Sequence, residues 1–234
     1  MQTVRGGKTF LLERDALVAA GSAYPVCLVD VGTGDGRFVY RYAREHPDTF
    51  AIGLDPVREA LRETSARAAK KPARGGLPNV LFVMGAAEEL PGPLAGVADV
   101  LTVNYPWGSL LKAMVEPVPQ VLAGLSAVAR PGARVSILLN YSVFEDADYA
   151  LRLGLPPLSP ERAREELIPA YGACGIEIEE VQLFDSSDAV PHRTSWGQHL
   201  LLGSKRRTLL LAGRSGSPQP GQSSRAEGGS MTVK

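Results

Sequence analysis

The chain reads as one α/β domain: a mostly parallel, seven-stranded sheet with helices on both sides, an antiparallel last strand and a small N-terminal β-hairpin. Three observations carry that reading. Apolar runs of strand length alternate with amphipathic helical stretches from Val26 to Leu139. The first run stops at Asp30 and turns through Gly32, Gly34 and Gly36 into a helix. Beyond Gly175 the extended runs follow one another without a helix between them, so the sheet ends in a hairpin return.

The elements follow in order. Two short extended runs around Gly6 and Gly7 predict the hairpin, within an extension spanning 1–25. After the glycine turn, the run Phe38-Val-Tyr-Arg-Tyr-Ala43 supplies the apolar face of a helix that ends before Pro47. A second strand, 49–54, ends at Asp55, and Pro56 opens a helix that Pro72 stops. The third strand is 80–84 and leads into 85–90, where the Ala87 amide with Glu88 can meet a ligand or, on the bland reading, Glu88 and Glu89 start a helix. The fourth, 98–103, ends in Asn104-Tyr-Pro-Trp-Gly-Ser109; a helix broken near Pro117 and Pro119 separates it from the fifth, 133–139. A long connection covers 140–160, and Ser159 with Pro160 caps a helix reaching about Gly172. Strict alternation over 176–183 predicts a half-wet strand, and 197–202 and 208–211 the last pair. The domain therefore spans 1–213, and the Gly, Ser and Pro-rich tail, 214–234, is expected to be disordered.

Composition excludes several classes. Lys plus Arg and Asp plus Glu are 25 each, so the chain does not announce nucleic acid by net charge. Distribution says more: Arg58, Arg62, Arg67, Lys70, Lys71 and Arg74 face only Glu59 and Glu63 in their stretch, and Lys205, Arg206 and Arg207 form a second cluster. No run is long and apolar enough to span a bilayer, which predicts a cytoplasmic protein without a membrane partner. Cys27 and Cys174 read as reduced, buried thiols. His46, His192 and His199 have no metal-ligand spacing, so no metal is expected.

The glycine turn is a cofactor cradle. A dinucleotide site wants G-x-G-x-x-G beneath its diphosphate, whereas here the glycines alternate and an acid, Asp30, precedes them. A carboxylate there suits a cationic amino-acid moiety, and Asp55 at the end of the next strand suits two ribose hydroxyls. The pattern reads as a site for S-adenosylmethionine. Asp30, Gly32, Gly34, Asp55, Ala87 and Asn104 all map to the carboxyl ends of the strands, with the Ala87 amide and Glu88 placed to read an adenine edge.

The acceptor is read from aromatics. Trp107 and Trp196 are the only tryptophans, and both sit in loops at strand boundaries where two rings can sandwich a base; the bland reading makes them rim-of-core residues. Asn104-Tyr-Pro-Trp107 also looks like the Asn-Pro-Pro-Tyr turns of amine methyltransferases, with Tyr105 replacing the first proline. Methylation of a ring nitrogen needs less help, because the lone pair is already available.

Asp30-Val-Gly-Thr-Gly-Asp-Gly-Arg37, Gly53-Leu-Asp-Pro56, Tyr105-Pro-Trp-Gly-Ser109 and Thr194-Ser-Trp-Gly-Gln198 together resemble one known group. These are the aminoglycoside-resistance 16S ribosomal RNA methyltransferases that modify N1 of adenine 1408, of the type found in antibiotic-producing actinobacteria. The resemblance covers roughly nine tenths of the chain and implies a class I, Rossmann-like methyltransferase fold. It further implies that Asp30, Gly32, Asp55, Ala87, Glu88 and Ser109 contact S-adenosylmethionine and that Ser195 shapes the donor pocket. Trp107 and Trp196 would hold a flipped adenine, with the Pro106 carbonyl beside it. The partner implied is the assembled 30S subunit, met by a monomer. Its phosphates would fall on Arg67, Lys70, Lys71, Arg152, Arg193, Lys205, Arg206 and Arg207, while Glu145 would stabilise a distorted rRNA backbone. The residues leave two other readings open: methylation of another nucleic-acid amine or small molecule, and a ribosome-binding homologue without turnover.

Overall fold

The computed structural model describes residues 1–185 and 207–216. Nine strands form one sheet: β1 (Gln2–Arg5), β2 (Lys8–Leu11), β3 (Val26–Val31), β4 (Thr49–Asp55), β5 (Val80–Met84), β6 (Ala98–Asn104), β7 (Ala129–Asn140), β8 (Ile176–Phe184) and β9 (Thr208–Ser215). Their order is β2-β1-β5-β4-β3-β6-β7-β9-β8. The five strands from β5 to β7 pair in parallel, and β9 runs against both β7 and β8. Seven strands thus form the predicted sheet, and the hairpin extends it by pairing β1 antiparallel to β5.

Helices cover both faces, because successive strand residues point to opposite sides and both sides are apolar. One face carries Leu28, Ala51 and Val100, packed against α2 (Arg37–Glu45), and Phe82, packed against α3 (Arg58–Ala68). On the other, Val29, Ile52, Leu54, Leu101 and Val103 meet α4 (Gly108–Val115) and α5 (Pro119–Val128). Every residue of the central β4 is buried, as a strand between two helical layers must be.

Several elements differ from the sequence reading. A helix, α1 (Arg14–Gly21), precedes β3; its one buried residue, Leu17, leaves no periodicity to read. Residues 85–90 form no helix but a tight turn in which the Glu89 amide donates to the Ala86 carbonyl. β7 begins at Ala129 rather than 133, because a register shift opposite residues 98–100 lets the chain cross Pro131 and Gly132 without leaving the sheet. The long connection contains α6 (Ser142–Glu145) and α7 (Ala147–Arg152), the latter capped by Asp146, whose Oδ1 accepts the Tyr149 amide at 2.9 Å.

The helix from Ser159 is composite: α8 (Pro160–Arg162), a π turn (Ala163–Leu167) and α9 (Ile168–Ala173). Pro169 has no N–H for the Glu165 carbonyl and its ring would strike it, so the wider turn takes up the mismatch. Cys27 and Cys174 are half-buried, not fully buried as expected, and neither is in a disulfide. β9 continues to Ser215, four residues beyond its predicted end; the strand predicted at 197–202 and the tail from 217 lie outside the described residues.

Candidate functional site

The pocket grows out of the turn after β3. The amides of Gly32 and Thr33 both donate to the Leu54 carbonyl at 2.9 Å, strapping the turn to the end of β4. Gly32 has φ +75°, and a Cβ on it would lie 2.6 Å from Leu110 Cδ2, so the backbone and α4 approach as only glycine allows. Gly34, at φ +61°, is different: a Cβ there would meet no protein atom within 4 Å, and this face borders the pocket. The resulting cavity, about 410 Å³, opens beyond the carboxyl ends of β3, β4 and β6.

Asp30 is 2% exposed. Its Oδ1 accepts the Thr102 hydroxyl at 2.7 Å and the Asn104 Nδ2 at 2.8 Å. Burial pushes the carboxyl up to about 6, although those hydrogen bonds favour the charged form. A buried carboxylate so placed is offset best by a cation brought into the pocket. Asn104 adds a second unmet demand, since its buried Oδ1 has no hydrogen-bond partner among the described residues. Thr102 was not among the predicted site residues. Its signal was there: a threonine two positions before Asn104 shares that residue's face in an otherwise apolar strand.

Asp55 is held by backbone. Its Oδ2 accepts the Gly34 amide and its Oδ1 the Val57 amide, each at 2.9 Å, and burial raises its pKa against both bonds. Ala87, buried, and Glu88, exposed, border the same cavity. So do Pro106, Trp107 and Ser109.

Trp107 stands 52% exposed at the mouth. What sets it there is Tyr105, among the described residues the only non-glycine with a positive φ, +50°. Its ring is buried, its amide donates to the Leu138 carbonyl at 2.7 Å, and its hydroxyl lies 3.2 Å from Thr208 Oγ1. Proline cannot take that φ, so this backbone departs from an Asn-Pro-Pro-Tyr turn at position 105.

The structure gathers Asp30, Gly32, Gly34, Asp55, Ala87, Glu88, Asn104, Pro106, Trp107 and Ser109 at one pocket. Of the predicted basic residues that the structure describes, Arg67, Lys70, Lys71, Arg152 and Arg207, none lines that pocket. α3 starts at the pocket rim and runs about 16 Å away from it, so Arg67, Lys70 and Lys71 sit at its far end. The Arg67 guanidinium lies 4.9 Å from the centroid of the Tyr40 ring, and that of Arg152 lies 5.6 Å from the Tyr149 ring. Glu145 and Arg207, read as separate contacts, form one ion pair, with Arg207 Nε donating to Glu145 Oε1 at 2.8 Å. Arg207 holds the Glu145 carboxyl below its ordinary range and packs over Tyr141 at 5.1 Å. Arg193, Ser195, Trp196, Lys205 and Arg206 lie outside the described residues. Among those described, no three His, Cys, Asp or Glu side chains cluster as metal ligands, and no helix is long and apolar enough to cross a membrane.

Known proteins share this layout. The family model NpmA, 16S rRNA (adenine(1408)-N(1))-methyltransferase, matches residues 2–215. The 16S rRNA (adenine(1408)-N(1))-methyltransferase of Escherichia coli is 35% identical over 215 residues, covering 91% of this chain and 98% of its own length. That of Streptoalloteichus tenebrarius is 38% identical over 184 residues, covering 76% and 82%. Among solved structures, the antibiotic-resistance methyltransferase Kmr is 48% identical with a TM-score of 0.78, covering 94% of this chain and all of its own. A tryptophan-to-alanine mutant of the 16S rRNA (adenine(1408)-N(1))-methyltransferase from Catenulisporales acidiphilia, solved with the cosubstrate SAM, is 36% identical with a TM-score of 0.85, covering 94% and 98%. The strand order, the pocket and these relatives agree, and the chain belongs to the 16S rRNA (adenine(1408)-N(1))-methyltransferase family.

Proposed function

We propose that this chain uses S-adenosylmethionine to methylate N1 of adenine 1408 in the 16S rRNA of the assembled 30S subunit, and so confers aminoglycoside resistance. The observation that carries the reading is one cavity that combines a buried acid, Asp30, a backbone-held acid, Asp55, and a half-exposed indole, Trp107, at its mouth.

Asp30 holds the donor's ammonium group, and the free Asn104 Oδ1 supplies a second acceptor beside it. Asp55 receives the ribose hydroxyls on its remaining lone pairs. The Ala87 amide reads the donor's adenine edge with Glu88 nearby, Gly34 leaves the space it fills, Gly32 lets the turn beside it close on α4, and Ser109 and Ser195 form its walls. When bound, S-adenosylmethionine supplies a methyl group already activated on a sulfonium. N1 of the acceptor adenine has its own lone pair, so this chain's task is orientation and no side chain acts as general base. Trp107 and Trp196 stack on the flipped base, and the Pro106 carbonyl borders it. Arg67, Lys70, Lys71, Arg152, Arg193, Lys205, Arg206 and Arg207 meet rRNA phosphates, with Glu145 steadying the distorted backbone. The protein works as a cytoplasmic monomer.

Primer extension on 30S subunits incubated with protein and donor tests the reading. A stop at adenine 1408 is expected; read-through there, or transfer to free nucleosides or small molecules alone, overturns it.

A further inference from the structure

Arginines of α2 form a stripe that the family resemblance leaves without a role. Arg37, Arg41 and Arg44 are spaced four and three residues apart, which places them on one helix face over about 10 Å. That face borders a groove of about 200 Å³ against α3, whose wall carries Arg67 and Glu63. Tyr40 forms the rest: its hydroxyl donates to the Gly75 carbonyl at 2.6 Å, which fixes the ring, and Arg67 is stacked over it at 4.9 Å.

Four guanidinium groups, Arg37, Arg41, Arg44 and Arg67, line this groove with a single carboxylate, Glu63, and the other acids that reach them, Asp35 and Glu45, lie outside its lining. Arg37 reaches Glu63 at 3.5 Å and Asp35 at 3.4 Å, and Arg44 reaches Glu45 at 3.8 Å, all through largely exposed atoms. Arg41 is half-buried and has no ion-pair partner among the described residues. Like charges at this spacing repel, so the free protein carries an arrangement that an anion would relieve. Arginine is also the side chain whose planar fork suits phosphate oxygens.

Position decides which anion. α2 begins at the pocket rim, where Asp35 and Phe38 line the cavity, and ends beside the far end of α3. The stripe therefore joins the pocket mouth to Arg67, Lys70 and Lys71 at the far end of α3. We propose that the α2–α3 groove is a phosphodiester-binding track for the rRNA substrate, with Arg41 and Arg44 neutralising backbone phosphates between the modified base and the basic end of α3. This rests on the rRNA reading above.

The test compares wild type with R41Q/R44Q for binding to 30S subunits between about 50 and 200 mM salt, with S-adenosylmethionine affinity and melting temperature measured alongside. At low salt the variant should bind at least tenfold more weakly, its log K against log salt slope should be shallower by about 1–2, and donor affinity should not change. R41K/R44K should recover much of the slope. Because Arg41 is half-buried, R44Q alone at its exposed position is the companion variant and should flatten the slope by about 1 if the pair fails to fold. Unchanged affinity and slope, with wild type methylating normally, overturn the track alone. Wild type that neither binds nor methylates 30S overturns the rRNA reading and the track with it.

Discussion

Asn104 Nδ2 donates to Asp30 Oδ1 at 2.8 Å, joining the ends of two parallel strands and leaving the amide's own oxygen without a partner among the described residues. Thr102 holds the same carboxylate oxygen at 2.7 Å. The acid is thus oriented by two neutral donors and balanced by no protein cation among the described residues.

Asp30 trades stability for donor binding. Its folded pKa, about 6 against an ordinary 3.8, means that its ionisation opposes folding. The stability it contributes is fully present below pH 3.8 and is lost as pH rises through 6, a cost of about 2–3 kcal/mol. Asp30→Asn should therefore raise the melting temperature of the donor-free protein at pH 7.5 by roughly 4–8 °C, an advantage that shrinks toward pH 4. Donor affinity should fall at least tenfold. Melting curves across pH and titration calorimetry check both halves.

Gly34→Val places a β-branched side chain at φ +61° and fills the open side of the turn. The left-handed backbone costs roughly 1–2 kcal/mol, and the new methyl groups take space proposed for the donor. Calorimetry should detect no donor binding by a protein that still melts cooperatively.

Trp107→Ala removes an indole that the fold already leaves 52% exposed, so the melting temperature should barely move. Stacking is worth roughly 1–3 kcal/mol per base, and methyl transfer to 30S should drop about 5- to 150-fold while donor affinity stays within twofold. Equal loss of donor affinity would instead make the ring part of the donor wall.

Tyr105 and Thr208 should behave as a coupled pair. Tyr105→Phe strips one hydroxyl and leaves the other buried, at a cost of about 1–3 kcal/mol. The double variant with Thr208→Val should cost less than the two singles combined, as a double-mutant cycle by urea denaturation would show. Tyr105→Pro cannot adopt φ +50° and should abolish transfer.

Much of this was legible in the order of residues. Strands β3 to β6 are apolar runs bounded by turn residues, and Asp30, Asp55 and Asn104 end three of them, so the binding edge follows from topology alone. The short-range devices were less visible. α1 buries only Leu17, and the π turn answers a proline inside a pattern that otherwise reads as plain helix. The Tyr105–Thr208 and Glu145–Arg207 pairs depend on which distant element lies alongside, and sequence spacings of 103 and 62 residues give no sign of that. The left-handed Tyr105 is the clearest case: its strain belongs to the assembled sheet, not to the tetrapeptide.

The place of β9 between β7 and β8 bears on how the molecule is born. The strand that completes the sheet is made after both of its neighbours, so a nascent chain that has reached residue 200 has two long strands with bare edges and an apolar underside. Messages cut short in that region should give sticky, protease-sensitive fragments, because among the described strands β8 joins the sheet only through β9 and the free edge of β7 stays open until β9 is made.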